Sequence, residues 1–343
     1  DTLTPDHFDT LRNCVTKSRI GRQDISPFVA SYAAMTLGRI GDKEVDVHAL
    51  RRVVESRRTS PNVARSAIIA LGKLGKRSAP ETRAAIARDL REGVRSRRIR
   101  DVTARSFALI SLAYLVEGDI ASGRTDVLGR EKIGEFLVRR TEKGQLGERS
   151  YAALALGLIC RAIGEETNVP LYGEFQSDAR TRLRDGLHGK GGARARAAYA
   201  VALGLAKDTA SLADLSDLVG DSKADDELRG YAAVALGHIG VGGERILRPI
   251  RRALRERRSE KLRRSTATAL GMLTDHKAVP ILLEELAKAR SQSAKGQVVI
   301  ALAKVGDERA IEPLTRILRN ARQQHLTRAL ACAGLGIVGD IAW

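Results

Sequence analysis

Aromatic residues make up 3% of this 343-residue sequence, which disfavours one large core built on bulky rings and suits many thin, closely packed helices. Long apolar runs are missing too. None reaches the roughly 18 residues that a membrane-spanning helix needs, so the sequence reads as soluble. It opens at Asp1 with neither an initiator Met nor a signal-like stretch, a start compatible with a removed leader or a neighbouring domain. Cysteine is scarce as well. Cys14, Cys160 and Cys332 are odd in number, far apart and without a CxxC pairing, which argues against a disulfide framework and fits a reducing compartment. Cys160 (LGLIC) and Cys332 (LACAG) sit inside apolar runs and are expected as buried free thiols.

Signatures of chemistry are also missing. The six histidines, His7, His48, His188, His238, His276 and His325, occur singly with no HExxH, so neither a metal site nor a cofactor is expected. LHGKGGAR, Leu187 to Arg194, lacks the GxxxxGK(S/T) frame of a phosphate loop and reads as a turn between helices.

What is present is positive charge and repetition. The formal net charge is +18 and the pI about 10.3, which implies an anionic partner: an acidic protein, nucleic acid or a membrane surface. One phrase returns nine times, as in SYAAMTLGRIG at Ser31, RSAIIALGKLG at Arg65, RSYAALALGLI at Arg149 and RGYAAVALGHIG at Arg229. Its aligned leucines are Leu37, Leu71, Leu112, Leu156, Leu203, Leu236, Leu270, Leu302 and Leu335, spaced by about 33 residues with insertions in the middle third. Between copies lies a second amphipathic segment, such as PETRAAIARDLREG or AVPILLEELAKA, with apolar residues at i, i+3, i+4 and i+7. Each repeat is therefore a pair of helices, A then B. Ser26-Pro27 and Ser60-Pro61 read as caps of B helices, and the glycine after the aligned leucine as a B-helix end. A lone pair cannot bury its apolar face, so pairs must stack. The fold class expected is all-α, a single right-handed α-solenoid over 1–343 with repeats near 1–41, 42–75, 76–116, 117–162, 163–207, 208–241, 242–274, 275–306 and 307–343.

The phrase YAAVALGHIG, with AVPIL opening the helix after the next copy, resembles the HEAT-repeat superfamily, in particular its bilin-lyase type of short repeat. The resemblance spans essentially the whole chain. It implies an α-solenoid serving as a binding surface, a non-enzymatic scaffold rather than a lyase, since no residue here supports lyase chemistry. It also implies that the cation at the start of each B helix belongs to a structural ladder. Here those cations are Arg105, Arg149, Arg196, Arg229, Arg263, Lys295 and Arg328, with Arg65 one place off; Asp101, Glu148, Asp226 and Glu260 are the acidic partners to expect.

In such a stack all A-to-B turns share one edge. The nine A-to-B segments together carry a net +18, equal to the formal excess of the whole chain, interrupted by the acidic DSKADDE at Asp221. With the eight ladder cations set aside, the edge keeps +10. The candidate binding residues are Arg57, Arg58, Arg95, Arg97, Arg98, Arg100, Lys190, Arg194, Arg255, Arg257, Arg258, Lys261, Arg264, Arg290 and Arg322. Most sit in turns or ahead of B helices, where the helix dipole prefers anions and so does not explain them.

Tyr32, Phe107, Tyr151 and Tyr231, each five residues before the aligned leucine, are expected in the core, which leaves the basic edge without base-stacking platforms. The insertions near 116–130 and 163–176 are candidate partner-contact loops, the second offering Tyr172 and Phe175. The sequence closes on GIVGDIAW with no polar capping helix, so either the chain continues or Trp343 and its neighbours dock on a partner or another copy. The reading is a scaffold for protein–protein interaction, a subunit of a larger assembly, using its concave B-helix surface and an Arg-rich edge for acidic partner surfaces. The alternative is a solenoid that grips nucleic-acid phosphates without reading sequence.

Overall fold

A computed structural model describes residues 4–21, 23–41, 44–56, 58–124, 126–128, 132–164, 170–256, 259–289 and 291–342, the side chains of 341 and 342 excepted. The chain divides into two units, Asp1–Arg182 and Leu183–Trp343. The first holds α1 (Pro5–Lys17), the short antiparallel strands β1 (Arg19–Ile20) and β2 (Gln23–Asp24), α2 (Pro27–Ile40), α3 (Glu44–Glu55), α4 (Pro61–Arg77), α5 (Pro80–Arg95), α6 (Val102–Ala121), α7 (Ile133–Lys143) and α8 (Leu146–Ile163). The boundary falls within α9 (Pro170–His188). The second holds α10 (Ala193–Leu205), α11 (Leu212–Gly220), α12 (Asp226–Ile239), α13 (Glu244–Leu254), α14 (Glu260–Met272), α15 (Val279–Lys288), α16 (Gln292–Val305), α17 (Ile311–Arg319) and α18 (His325–Ala342). Odd-numbered helices are the A members and even-numbered ones the B members. The fold is an all-α solenoid.

In the first unit α2, α4, α6 and α8 stack in order, and in the second α10, α12, α14, α16 and α18 do so. Each A helix packs chiefly on its own B helix or the neighbouring A helix. The aligned leucines are the common centre: eight of the nine are buried and Leu335 is half-buried. Each buried one contributes about 1.5–3 kcal/mol of transfer free energy.

Local chemistry starts the B helices. Ser26, Asp101, Asp225, Ser259 and Ser291 each accept a hydrogen bond from a backbone N–H of the first turn, satisfying donors that the helix leaves orphaned. Ser60 precedes Pro61 at the start of α4, but its hydroxyl makes no such bond.

The glycine after the aligned leucine does not end the B helix. It lies inside the helix, where the absence of a side chain lets the next B helix approach. A Cβ on Gly38 would sit 2.6 Å from Ala70 Cα, and one on Gly204 2.7 Å from Ala235 Cα. The true ends come later, at Gly240 and Gly306 in left-handed conformation. Cys160 is buried as expected and so is Cys14, whose thiol burial pushes up in pKa, whereas Cys332 is exposed on the outer side of α18. The insertions become largely helix. Residues 116–121 prolong α6, and 170–176 open α9. No helix among the described residues is long and apolar enough to cross a membrane.

Candidate functional site

The cation seven residues before the aligned leucine turns back towards the end of its own A helix. Arg229 is fully buried. Its Nε donates to Val219 O at the end of α11 (3.0 Å), and its terminal nitrogens donate to Glu256 (2.8 and 2.7 Å) and Asp226 (3.1 Å). The hydrogen bonds to Glu256 raise its pKa against the cost of burial. Arg149, Arg196 and Arg328 repeat the theme, donating from Nε to Gly144 O (2.7 Å), Leu187 O (2.7 Å) and Leu318 O (2.9 Å). The last carbonyls of a helix lack intrahelical donors and carry the negative end of its dipole, so a guanidinium fits there twice over.

Arg65, Arg105 and Arg229 also reach forward to the next repeat. Arg105 donates to Ile99 O (3.0 Å) and Arg100 O (2.8 Å) in its own turn, then to Glu148 (2.6 Å) and Gln145 (3.0 Å) beyond it. Arg65 holds Asp101 with two nitrogens (2.7 and 3.0 Å), and these bonds depress the Asp101 pKa. The ladder thus engages three of the four expected acids. Glu260 instead accepts from Ser291 Oγ (3.0 Å), while Arg263 faces Glu285 at 3.7 Å.

These bonds place successive A-to-B turns side by side. Arg65–Asp101 and Arg105–Glu148 join the turns before α4, α6 and α8. In the second unit Arg229–Glu256, Ser291–Glu260 and Lys295–Gln323 (3.2 Å) join those before α12, α14, α16 and α18. In the A-to-B turns Arg58, Arg95, Arg97, Arg98 and Arg100 in the first unit, and Lys190, Arg194, Arg255, Lys261 and Arg322 in the second, are exposed. Arg264 is half-buried and donates to Ser293 Oγ (3.4 Å). Among the described residues, only Arg98 (to Glu92, 3.9 Å) and Lys261 (to Glu227, 3.9 Å) of these exposed ten come within ion-pair range of a carboxylate. Arg57, Arg257, Arg258 and Arg290 lie outside the described residues, as does Trp343.

The turn Arg95–Arg100 is anchored from below. Ile99 is buried and its N–H donates to Gly93 O (3.1 Å), while Arg105 holds the carbonyls of Ile99 and Arg100. Arg97 adopts φ +58°, a left-handed conformation uncommon outside glycine. With the backbone so fixed, four guanidinium groups project into solvent. By contrast, the carboxylates of the acidic break are partly engaged locally. Asp225 caps α12, Asp221 accepts from Lys223 N (2.9 Å) and Asp226 accepts from Arg229.

A second ladder, on the B-to-A side, was not evident in the sequence. Arg12–Asp46 (2.5 Å), Arg51–Asp89, Arg83–Asp119 (2.8 Å), Arg184–Asp208 (2.8 Å) and Arg251–Asp275 (2.5 Å) each link one A helix to the region of the next. Arg83 and Asp119 are both buried, in contact by distance but off the hydrogen-bonding direction, and burial raises the Asp119 pKa although Arg83 pulls it down.

Two expectations are corrected. Tyr172 and Phe175 do not stand on a projecting loop; both lie in the first turns of α9, buried at 3% and 7% exposure, because the segment after Pro170 is helical and amphipathic. The aromatics five residues before the aligned leucine are not core. Tyr32 is 63% and Tyr231 41% exposed, and Phe107 and Tyr151 are half-buried with ring centroids 5.8 Å apart. That register points outward, since the helix turns the adjacent alanines towards the neighbouring B helices. Histidines pair singly with carboxylates, His188 with Asp214 (2.9 Å) and His276 with Asp307 (3.0 Å). Among the described residues no group of three or more His, Cys, Asp or Glu is placed to hold a metal ion.

Residues 262–288 and 294–320 match the family model of the PBS lyase HEAT-like repeat. No curated protein matches the chain. The solved structure of YibA from E. coli is 14% identical, covers 93% of this chain and 99% of its own with a TM-score of 0.50, and so bears on the fold alone. Human deoxyhypusine hydroxylase in complex with glycerol (15% identical, 89% and 99% covered, TM-score 0.34) and an engineered protein (16%, 96% and 99%, TM-score 0.33) are more distant in shape. Repeated phrase and stacked helix pairs agree that the chain is a helical-repeat protein, and two of its segments, 262–288 and 294–320, match the PBS lyase HEAT-like repeat.

Proposed function

We propose that the chain is a non-enzymatic binding scaffold, a subunit of a larger assembly, whose Arg-rich A-to-B edge receives an acidic surface of a protein partner. One observation carries the reading. Arg105, Arg149, Arg196, Arg229 and Arg328 already serve helix ends or neighbouring carboxylates, while the exposed cations beside them have almost no acidic partner among the described residues. Screening acts over about 8 Å at physiological salt, so cations clustered in one turn reinforce one another's potential. Apolar side chains exposed at the starts of the B helices, Val102 and Leu146 among them, favour a protein over bare phosphates.

The test is binding of the full chain to polyglutamate and to random-sequence duplex DNA across a salt series. The expected result is polyglutamate binding that weakens with salt and drops further on Arg97→Glu/Arg98→Glu. No polyglutamate binding at about 50 mM salt, or tighter duplex binding with a steep log-salt slope, refutes it.

A further inference from the structure

The starts of α6 and α8 place an apolar strip against the four-arginine turn Arg95–Arg100. Val102 (43% exposed) follows Arg100 by two residues at the head of α6, and Leu146 (64% exposed) heads α8. The two helix starts touch: a Cβ on Gly147 would lie 3.9 Å from Val102 Cγ1. About one turn further in, Phe107 and Tyr151 meet across the same pair of helices, ring centroids 5.8 Å apart and half-buried. None of these four is needed to fill the leucine core beneath, which Leu109, Leu112 and Leu156 close without solvent exposure.

An acidic surface alone accounts for the arginines and leaves these side chains in water for no return. A purely apolar partner would leave the guanidinium groups unmatched. Resting on the edge reading above, we propose that the heads of α6 and α8 form a two-part docking site for an acidic segment of a partner protein. The segment carries one or two large apolar side chains that seat on Leu146, Val102 and the Phe107–Tyr151 pair, while its carboxylates face Arg95, Arg97, Arg98 and Arg100. The anchored turn, with Arg97 held in its left-handed conformation, presents that charge without a further cost of ordering the backbone on binding.

The experiment uses the full chain and two fluorescein-labelled acidic peptides, one with Leu and Trp beside its Glu and Asp run, the other with Ser in their place. The Leu/Trp peptide is expected to bind about tenfold more tightly, the scale of one well-buried apolar anchor. Leu146→Ser/Tyr151→Ser should bring the two affinities together while leaving the Ser peptide unchanged, and Arg97→Glu/Arg98→Glu should weaken both. Circular dichroism and melting of each variant, compared with the parent, report on folding; Leu146→Ser alone, at a largely exposed position, serves if the double variant is unstable. Equal binding of the two peptides, or a difference that survives Leu146→Ser/Tyr151→Ser, overturns this site while the basic edge stands. Binding of neither peptide overturns both.

Discussion

The buried guanidinium of Arg229 offers the sharpest perturbation of the fold. Replacing it with Met keeps much of the volume but removes both terminal contacts to Glu256, the contact to Asp226 and the donor to Val219 O. Leaving a buried charge pair half-made costs about 3–5 kcal/mol, and an orphaned buried carbonyl about 1–3 kcal/mol. Glu256 keeps 24% side-chain exposure and can recover some hydration, so the lower end, about 3 kcal/mol for the whole substitution, is expected. Glu256→Gln alone should cost less, about 1–2 kcal/mol, because a neutral hydrogen bond remains. The double variant should fall short of the sum by about 1–2 kcal/mol, the coupling of groups in direct contact. Breaking the exposed Lys261–Glu227 pair at 3.9 Å provides the control, at under about 0.5 kcal/mol. Urea unfolding followed by circular dichroism measures all four. A loss below about 1 kcal/mol for Arg229→Met, or strict additivity with Glu256→Gln, would falsify the claim that this arginine joins repeats.

Further expectations concern packing, acid and surface charge. Gly204→Ala should destabilise by about 1–3 kcal/mol despite better helix propensity, since its Cβ would meet Ala235 Cα at 2.7 Å, whereas Gly173→Ala, with open space around it, should stabilise by about 0.5–1 kcal/mol; thermal melts distinguish them. The carboxyls of Asp101, Glu244 (down to about 2, held by Lys277 and then Arg251) and Asp307 have folded pKa values below their unfolded ones, so the stability they contribute is full above about pH 5 and lost as pH falls towards 2, with Asp119 opposing the trend. A melting temperature that rises on acidification through that window would contradict these assignments. Tyr172→Ser, at a residue buried in α9, should cost about 2–4 kcal/mol by denaturant titration, where a projecting loop would show a change near zero.

The helix pairs were legible because the aligned leucine fixes a register, and everything at constant offset from it inherits a position. The arginines seven residues earlier share that register, and the HEAT resemblance implied their ladder. Offset alone did not give direction, so Tyr32 and Tyr231, placed in the core by recurrence, are exposed. The glycine following the leucine was read as a stop, since a helix end and a close helix crossing both favour a residue without Cβ. Pairs such as Arg184–Asp208 and Arg51–Asp89 stayed hidden because their separations vary from 24 to 38 residues as helix lengths change. The row of cations in the A-to-B turns was fully visible in the sequence; the stiff seating of Arg95–Arg100 on Ile99 and Arg105 was not.

Arg105 and Arg229 spend some bonds on their own repeat and others on the one that follows. Within either unit, melting one helix pair therefore strands a carboxylate or guanidinium of the adjacent pair that had a mate. Damage would propagate down the column instead of staying local, and each unit should come apart over a narrow range of denaturant although most of its contacts are between adjacent members.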